Sequence, residues 1–210
     1  MLDVYAFATP NSVKVPIALE ELGLAYTLHG VNIRKGEQKL PEFLTVNANG
    51  KVPVLVDSEA ESGAMVLTES AAILVYLAEK TGKLLPAQGV ARARVFEQLF
   101  FHASGLGPAF GNAGYFQKLA PEQIPHAIER FKTEAKRVLV LLDKTLANSA
   151  YVAGDSLSIA DIAHFGWLWR REFVGLDFSD TPHLARWYDL LESRPSFQRG
   201  VAQVNALVPS

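Results

Sequence analysis

The sequence predicts an α/β domain followed by an all-helical domain, and three observations carry that prediction. Over residues 1–82 the apolar runs fall in the order strand, helix, strand and then strand, strand, helix. Residues 83–89 are linker-like. Residues 90–210 show helical periodicity and no convincing strand. The expected domains are therefore 1–82 and 90–210.

The first domain reads element by element. Leu2 to Phe7 is a short apolar run, Pro10-Asn11-Ser12 a turn, and Val13 to Leu22 a helix stopped by Gly23. Tyr26 to Ile33 alternates roughly and reads as a second strand, which makes a β-α-β unit with a parallel pair and a right-handed crossover. Gly36 to Asn49 is polar and irregular, with one helical turn expected at Pro41 to Leu44. Pro53 to Val56 and Met65 to Leu67 flank the polar segment Asp57 to Gly63, as an antiparallel hairpin would. Thr68 and Glu69 open a helix whose Ile73, Leu74 and Leu77 run on to a stop at Gly82. These pieces add up to a four-stranded sheet.

In the second domain Val95, Phe96, Leu99, Phe100 and Ala103 share one helix face. A longer apolar stripe runs from Ile124 through Ala135, Val138, Leu139 and Leu142 to Leu146. Ser158 and Asp161 form a capping-box variant, with Leu157 and Ile162 placed as a hydrophobic staple, so this helix is expected to nucleate the domain.

Composition narrows the function. With 49% apolar and 20% charged residues in a chain of 210, a sizeable core is expected. No window is apolar enough for a membrane span, and Met1 to Tyr5 lacks the basic start of a secretory signal, so the expected address is the cytoplasm. A net charge of -2 with dispersed Lys and Arg offers no stripe for nucleic acid. The Cys count is 0, which excludes protein disulfides, thiolate metal ligands and a cysteine nucleophile. Sulfur chemistry here needs a thiol brought in by a ligand, and no metal is expected.

Three segments place polar groups where a ligand could sit. Thr9-Pro10-Asn11-Ser12 lies at a strand's carboxyl end and a helix's amino end; it is either an ordinary turn or a seat for an anion such as a thiolate, with Thr9 and Asn11 as donors. Val52-Pro53 opens an apolar strand, and a cis bond is expected there, with a trans Pro on an edge strand as the alternative. Thr68-Glu69-Ser70 begins a helix, and is either a plain helix start or a clamp in which Ser70 meets a carboxylate and Glu69 an ammonium.

A thiolate donor, a peptide-pairing backbone and an α-amino-acid clamp together suit γ-Glu-Cys-Gly. Val52-Pro53, the run Glu69-Ser70-Ala71-Ala72-Ile73-Leu74-Val75-Tyr76-Leu77, the change of character near Gly82 and Ser158-Ile159-Ala160-Asp161 resemble the glutathione transferases along nearly the whole chain. Thr9-Pro10-Asn11, Leu19-Glu20-Glu21-Leu22-Gly23, Lys35-Gly36-Glu37-Gln38, Pro41-Glu42-Phe43-Leu44, Gly105-Leu106-Gly107-Pro108 and Ile128-Glu129-Arg130-Phe131 are similar to the Nu-class bacterial enzymes. They are similar as well to the glutathione-binding domain of the yeast prion-forming nitrogen regulator.

The resemblance implies a thioredoxin-like first domain, a helical second domain and a homodimer. It implies that Thr9 and Asn11 hold the glutathione sulfur, and that Gln38 and Lys51 approach the glycyl end. Val52 would pair with the cysteinyl backbone, Glu69 and Ser70 would clamp the γ-glutamyl end, and Arg130 would reach a second glutathione or else be a solvated helix charge. Phe100, Phe101, His102, Phe110, Tyr115 and Phe116 either wall a second-substrate site or are core. Tyr5 lies within a strand and is not taken as the catalytic tyrosine of other classes.

The reaction expected from the resemblance is glutathione-dependent reduction of small disulfides. Conjugation to an electrophilic carbon and non-catalytic glutathione binding stand as alternatives. Lowering a thiol pKa from ~8.5 by about two units takes roughly 2.7 kcal/mol, which a charge-assisted hydrogen bond and a helix N-terminus can supply.

Overall fold

A computed structural model describes residues 1–61 and 63–209. Its residues divide into two compact units, 1–83 together with the chain from Ser193 onward, and 84–192.

The first unit is built on strands β1 (Leu2–Ala6), β2 (Thr27–Gly30), β3 (Val54–Asp57) and β4 (Met65–Thr68), in the sheet order β2-β1-β3-β4. β1 and β2 are parallel, with Val4 opposite Leu28, and the other two pairings are antiparallel, with Val4 opposite Leu55 and Leu55 opposite Leu67. Strict alternation along β1 buries Leu2, Val4 and Ala6 on one face. Helices α1 (Lys14–Leu22) and α3 (Ser70–Thr81) contribute Val15, Ile17, Leu19, Ile73, Leu74 and Leu77 to the same core, each fully buried. Gly23 and Gly82 end these helices, each holding the left-handed C-cap position expected of a stop glycine.

Two local readings are corrected. The second strand pairs only over Thr27–Gly30, because Asn32 turns the chain out of the sheet: its Oδ1 accepts from the Arg34 and Lys35 N–H groups. The irregular stretch after it holds a short 3-10 turn (Glu37–Lys39) and a real helix, α2 (Pro41–Val46), with Pro41 in its first turn. The polar segment expected over 57–63 includes Ser62, which lies outside the described residues.

The second unit is helical: α4 (Gly89–Phe101), α5 (Gly107–Gly114), α6 (Pro125–Leu146), α7 (Ile159–Leu168) and α8 (Pro182–Glu192). Among the described residues its β structure amounts to one isolated bridge between Tyr151 and Gly154. Two wide π turns, His102–Leu106 and Tyr115–Leu119, follow α4 and α5. The first precedes Pro108, whose ring removes the N–H that an α-helical turn would use. The α6 stripe is buried from Ala135 to Leu146, whereas Ile124 at its start is exposed.

Ser158 and Asp161 complete the capping box of α7. The fully buried Asp161 carboxylate accepts from the N–H of Ser158, the N–H of Val152 and the Trp187 indole, each at 2.9 Å. Burial pushes its pKa up despite these bonds.

The last helix, α9 (Pro195–Ala206), packs on α1 in the first unit, although the sequence boundaries placed residues up to 210 with the helical domain. Its apolar residues are too few to announce their partner, and the contact depends on a glycine. A Cβ at Gly200 would stand 2.7 Å from the Ile17 backbone N. Arg194 and Ser196 both bond Glu21 of α1, and these bonds hold the Glu21 carboxyl low against the upward push of burial.

Candidate active site

The turn joining β1 to α1 is closed by its own hydroxyls. Thr9 Oγ1 and Ser12 Oγ lie 3.0 Å apart, Ser12 N–H donates to Thr9 Oγ1, and Phe7 N–H donates to Ser12 Oγ. One hydroxyl hydrogen is spent between the two side chains and the other is left over. Thr9 Oγ1 is the donor in that contact, and the remaining hydroxyl hydrogen belongs to Ser12, which is fully buried whereas Thr9 is half-buried.

Asn11 is oriented differently. Its Oδ1 accepts from Lys14 Nζ at 2.8 Å, which leaves the Nδ2 donors without a partner among the described residues. Lys14 is fully buried at the first position of α1, and its Nζ also donates to Ser70 Oγ at 3.1 Å. A buried ammonium thereby joins the β1–α1 turn to the start of α3. Burial pushes the Lys14 pKa down to about 7, and the charge of Glu69 opposes that shift. Lys14 was missed in the sequence, since a lysine in a helix's first turn is ordinarily solvated. Its one signal is isolation: Val13, Val15, Pro16 and Ile17 surround it.

Ser70 opens α3 and is buried, while Glu69 before it is exposed and carries φ 66°, a left-handed value unusual for a side chain larger than glycine. Such a backbone costs on the order of 1 to 3 kcal/mol and collects at ligand sites.

The Val52–Pro53 bond is cis, and the Val52 backbone makes no hydrogen bond among the described residues. Gly50 just before it has φ 62°, and a Cβ there would stand 3.1 Å from the Gln38 carbonyl oxygen, so glycine lets these two segments approach. Gln38 Oε1 is buried and lacks a partner among the described residues. Lys51 is exposed, and its carbonyl accepts from the Asn47 amide at 2.8 Å. The first unit thus brings Asn11 and Ser70 together through Lys14, and holds Gln38 beside Gly50.

Arg130 lies on the exposed face of α6, in the second unit, with its charge acting on Glu134. Of the aromatic candidates, Phe110 and His102 are core, the latter edge-on to His164, whereas Phe100 and Tyr115 are exposed. Phe116 stacks on Phe131 at 5.4 Å. Tyr5 stacks on His29 at 4.8 Å and packs with Val31, Phe43 and Val54, which makes it a structural ring. Among the described residues there is no group of His, Asp and Glu able to hold a metal, and no helix is long and apolar enough to cross a membrane.

The arrangement offers an amide N–H, a hydroxyl and a buried cation to anions, and the same unit carries an unpaired stretch of backbone suited to a peptide.

The family model "Glutathione S-transferase, N-terminal domain" matches residues 8–80, and "Glutathione S-transferase, C-terminal domain" matches residues 108–195. The disulfide-bond oxidoreductase YfcG of Escherichia coli (strain K12) is 42% identical over 200 residues, covering 93% of this chain and 92% of that protein. A glutathione transferase family member from Pseudomonas fluorescens pf-5, solved with two glutathione bound, superposes with a TM-score of 0.90 at 38% identity, covering 95% of this chain and 92% of that one. A glutathione transferase from Pseudomonas putida, solved with one glutathione disulfide bound per subunit, gives a TM-score of 0.88 at 37% identity, covering 95% and 90%. The chain belongs to the glutathione S-transferase family.

Proposed function

We propose that the protein is a glutathione-dependent disulfide reductase that binds glutathione as a thiolate. The observation that carries this reading is the pinned amide of Asn11: with Oδ1 held by Lys14, the side chain can only donate to what lies before it. In a chain without cysteine, that donor serves a sulfur belonging to the ligand.

Roles follow from position. Asn11 and Thr9 donate to the glutathione sulfur, and Ser70 and Glu69 take the γ-glutamyl carboxylate and ammonium. Val52 pairs with the cysteinyl backbone, and Gln38 and Lys51 face the glycyl end. The thiolate attacks one sulfur of a small disulfide, the displaced thiolate leaves and takes a proton from water, and a mixed disulfide remains. A second glutathione attacks that mixed disulfide, releasing the other thiol and glutathione disulfide. Without a cysteine of its own, the protein holds both glutathiones as ligands, and Arg130 supplies the cation for the second. Support comes from the two relatives solved with two glutathiones and with a glutathione disulfide, and from the oxidoreductase name of the E. coli relative. We take the enzyme to work as a homodimer in the cytoplasm, as its resemblance to the class implies; sedimentation velocity tests the dimer.

Steady-state assays decide the reaction. Turnover of 2-hydroxyethyl disulfide with glutathione should clearly exceed conjugation of 1-chloro-2,4-dinitrobenzene. Normal conjugation with no disulfide reduction makes the protein a conjugating transferase instead.

A further inference from the structure

A lysine removed wholly from water is rare, because the ammonium loses its hydration and needs hydrogen bonds in return. Lys14 finds two of them in the oxygens of Asn11 and Ser70, at 2.8 and 3.1 Å. The choice of acceptors matters more than the bonds themselves. An asparagine amide can present either its oxygen or its nitrogen to a ligand, and an ammonium on Oδ1 settles the choice in favour of nitrogen. A serine hydroxyl whose lone pair is taken by Nζ turns its hydrogen elsewhere. Both residues become donors, and both stand where the proposed ligand is negative.

We propose that Lys14 is the positioning residue of the glutathione site, holding Asn11 and Ser70 as donors to the thiolate and the γ-glutamyl carboxylate and taking up a proton when these anions arrive. This rests on the glutathione reading above and adds to it a residue without direct contact to ligand.

The surrounding charges are consistent with such coupling. α1 packs against α3 and α9. On the α9 side, Arg194 and Arg199 pair with Glu21 and Glu20 at the far end of α1. On the α3 side, Lys80 and Tyr76 are bound to Asp57, and Glu79 lies in the last turn of that helix. Asp3 of β1 pairs with His29. Burial holds the Lys14 pKa down at about 7, and Glu69 is the charge that opposes it. Two incoming negative groups then favour the charged form.

Isothermal calorimetry with S-methylglutathione tests this, since that ligand keeps two carboxylates and has no ionisable thiol. Titrations of the whole protein at pH ~7 in two buffers of different ionisation enthalpy should show uptake of a fraction of a proton per ligand bound. Lys14→Met should abolish the uptake and weaken binding about tenfold or more. Binding without uptake by the unsubstituted protein, or Lys14→Met with unchanged affinity and uptake, overturns the assignment. If Lys14→Met does not fold, uptake by the unsubstituted protein still decides, because the ligand's own groups hold their protonation at this pH. Absence of binding by either glutathione or S-methylglutathione removes the glutathione reading itself, and this one with it.

Discussion

Replacing Asn11 by Ala removes the amide donor while leaving the γ-glutamyl clamp intact, so the loss should fall on kcat more than on KM. One such donor to a developing or bound anion is worth roughly a hundredfold to a thousandfold in rate. Thr9→Ala should cost less, because Thr9 shares its hydrogen bonding with Ser12. Ser70→Ala should do the opposite, raising KM by the loss of one charge-assisted bond, on the order of 1.5 to 3 kcal/mol in binding. Stopped assays on the three variants separate the two patterns, and a uniform loss in all three would contradict the division of roles. Asn11, Glu69 and Ser70 were singled out in the sequence because they stand at element ends, whereas Gln38 came from the family resemblance alone. Lys14 was not, because its part depends on burial between α1 and α3, which only the folded chain supplies.

Asp57 carries the pH dependence. Burial pushes its carboxyl up, but bonds from Lys80, Tyr76 and the Glu59 N–H outweigh that push and hold it at about 2. A lowered folded pKa gives stability that is present above the unfolded value of about 4 and is lost as the pH falls through 2. Acid titration of the folded protein by circular dichroism should show this loss, about 1 to 2 kcal/mol, over that window. The same experiment on Asp57→Asn should show a flatter profile.

At the scale of elements, the α7 cap and the α1–α9 contact each make a strong claim. Ser158→Ala removes one cap acceptor and should cost about 1 kcal/mol. Asp161→Ala strips the partner from the Val152 N–H, the Ser158 N–H and the Trp187 indole, and should cost about 3 kcal/mol or more by urea denaturation. Equal effects would mean the box is a local cap and nothing more. Gly200→Ala drives a methyl group into the Ile17 backbone, and should destabilise the first unit by about 1 to 3 kcal/mol or more. The α7 cap was readable because Ser158, Asp161, Leu157 and Ile162 are close in sequence. The placement of α9 was not, since a helix and the surface it packs on are linked by no local pattern. The early end of β2 had the same cause at a shorter range: Asn32 competes for backbone N–H groups that the apolar alternation alone would give to the sheet.

For the whole molecule, the α/β and helical halves follow from the change of apolar pattern near Gly82, and the family follows from the motifs that resemble it. The strand order β2-β1-β3-β4 is supplied by the fold, since no local pattern says that β3 pairs with β1. The two-glutathione mechanism asks more of the chain. Arg130→Ala should raise KM for the disulfide reaction while leaving first-glutathione affinity by calorimetry unchanged; equal loss of both would place Arg130 elsewhere in the mechanism. Beneath these claims lies one physical statement, that glutathione is held as its thiolate by Asn11. Its most direct test is an ultraviolet titration of the thiolate band of protein-bound glutathione. The account predicts a bound-thiol pKa about two units below the free value of ~8.5, moving back toward it in Asn11→Ala. A bound thiol that titrates at or above the free value would contradict it.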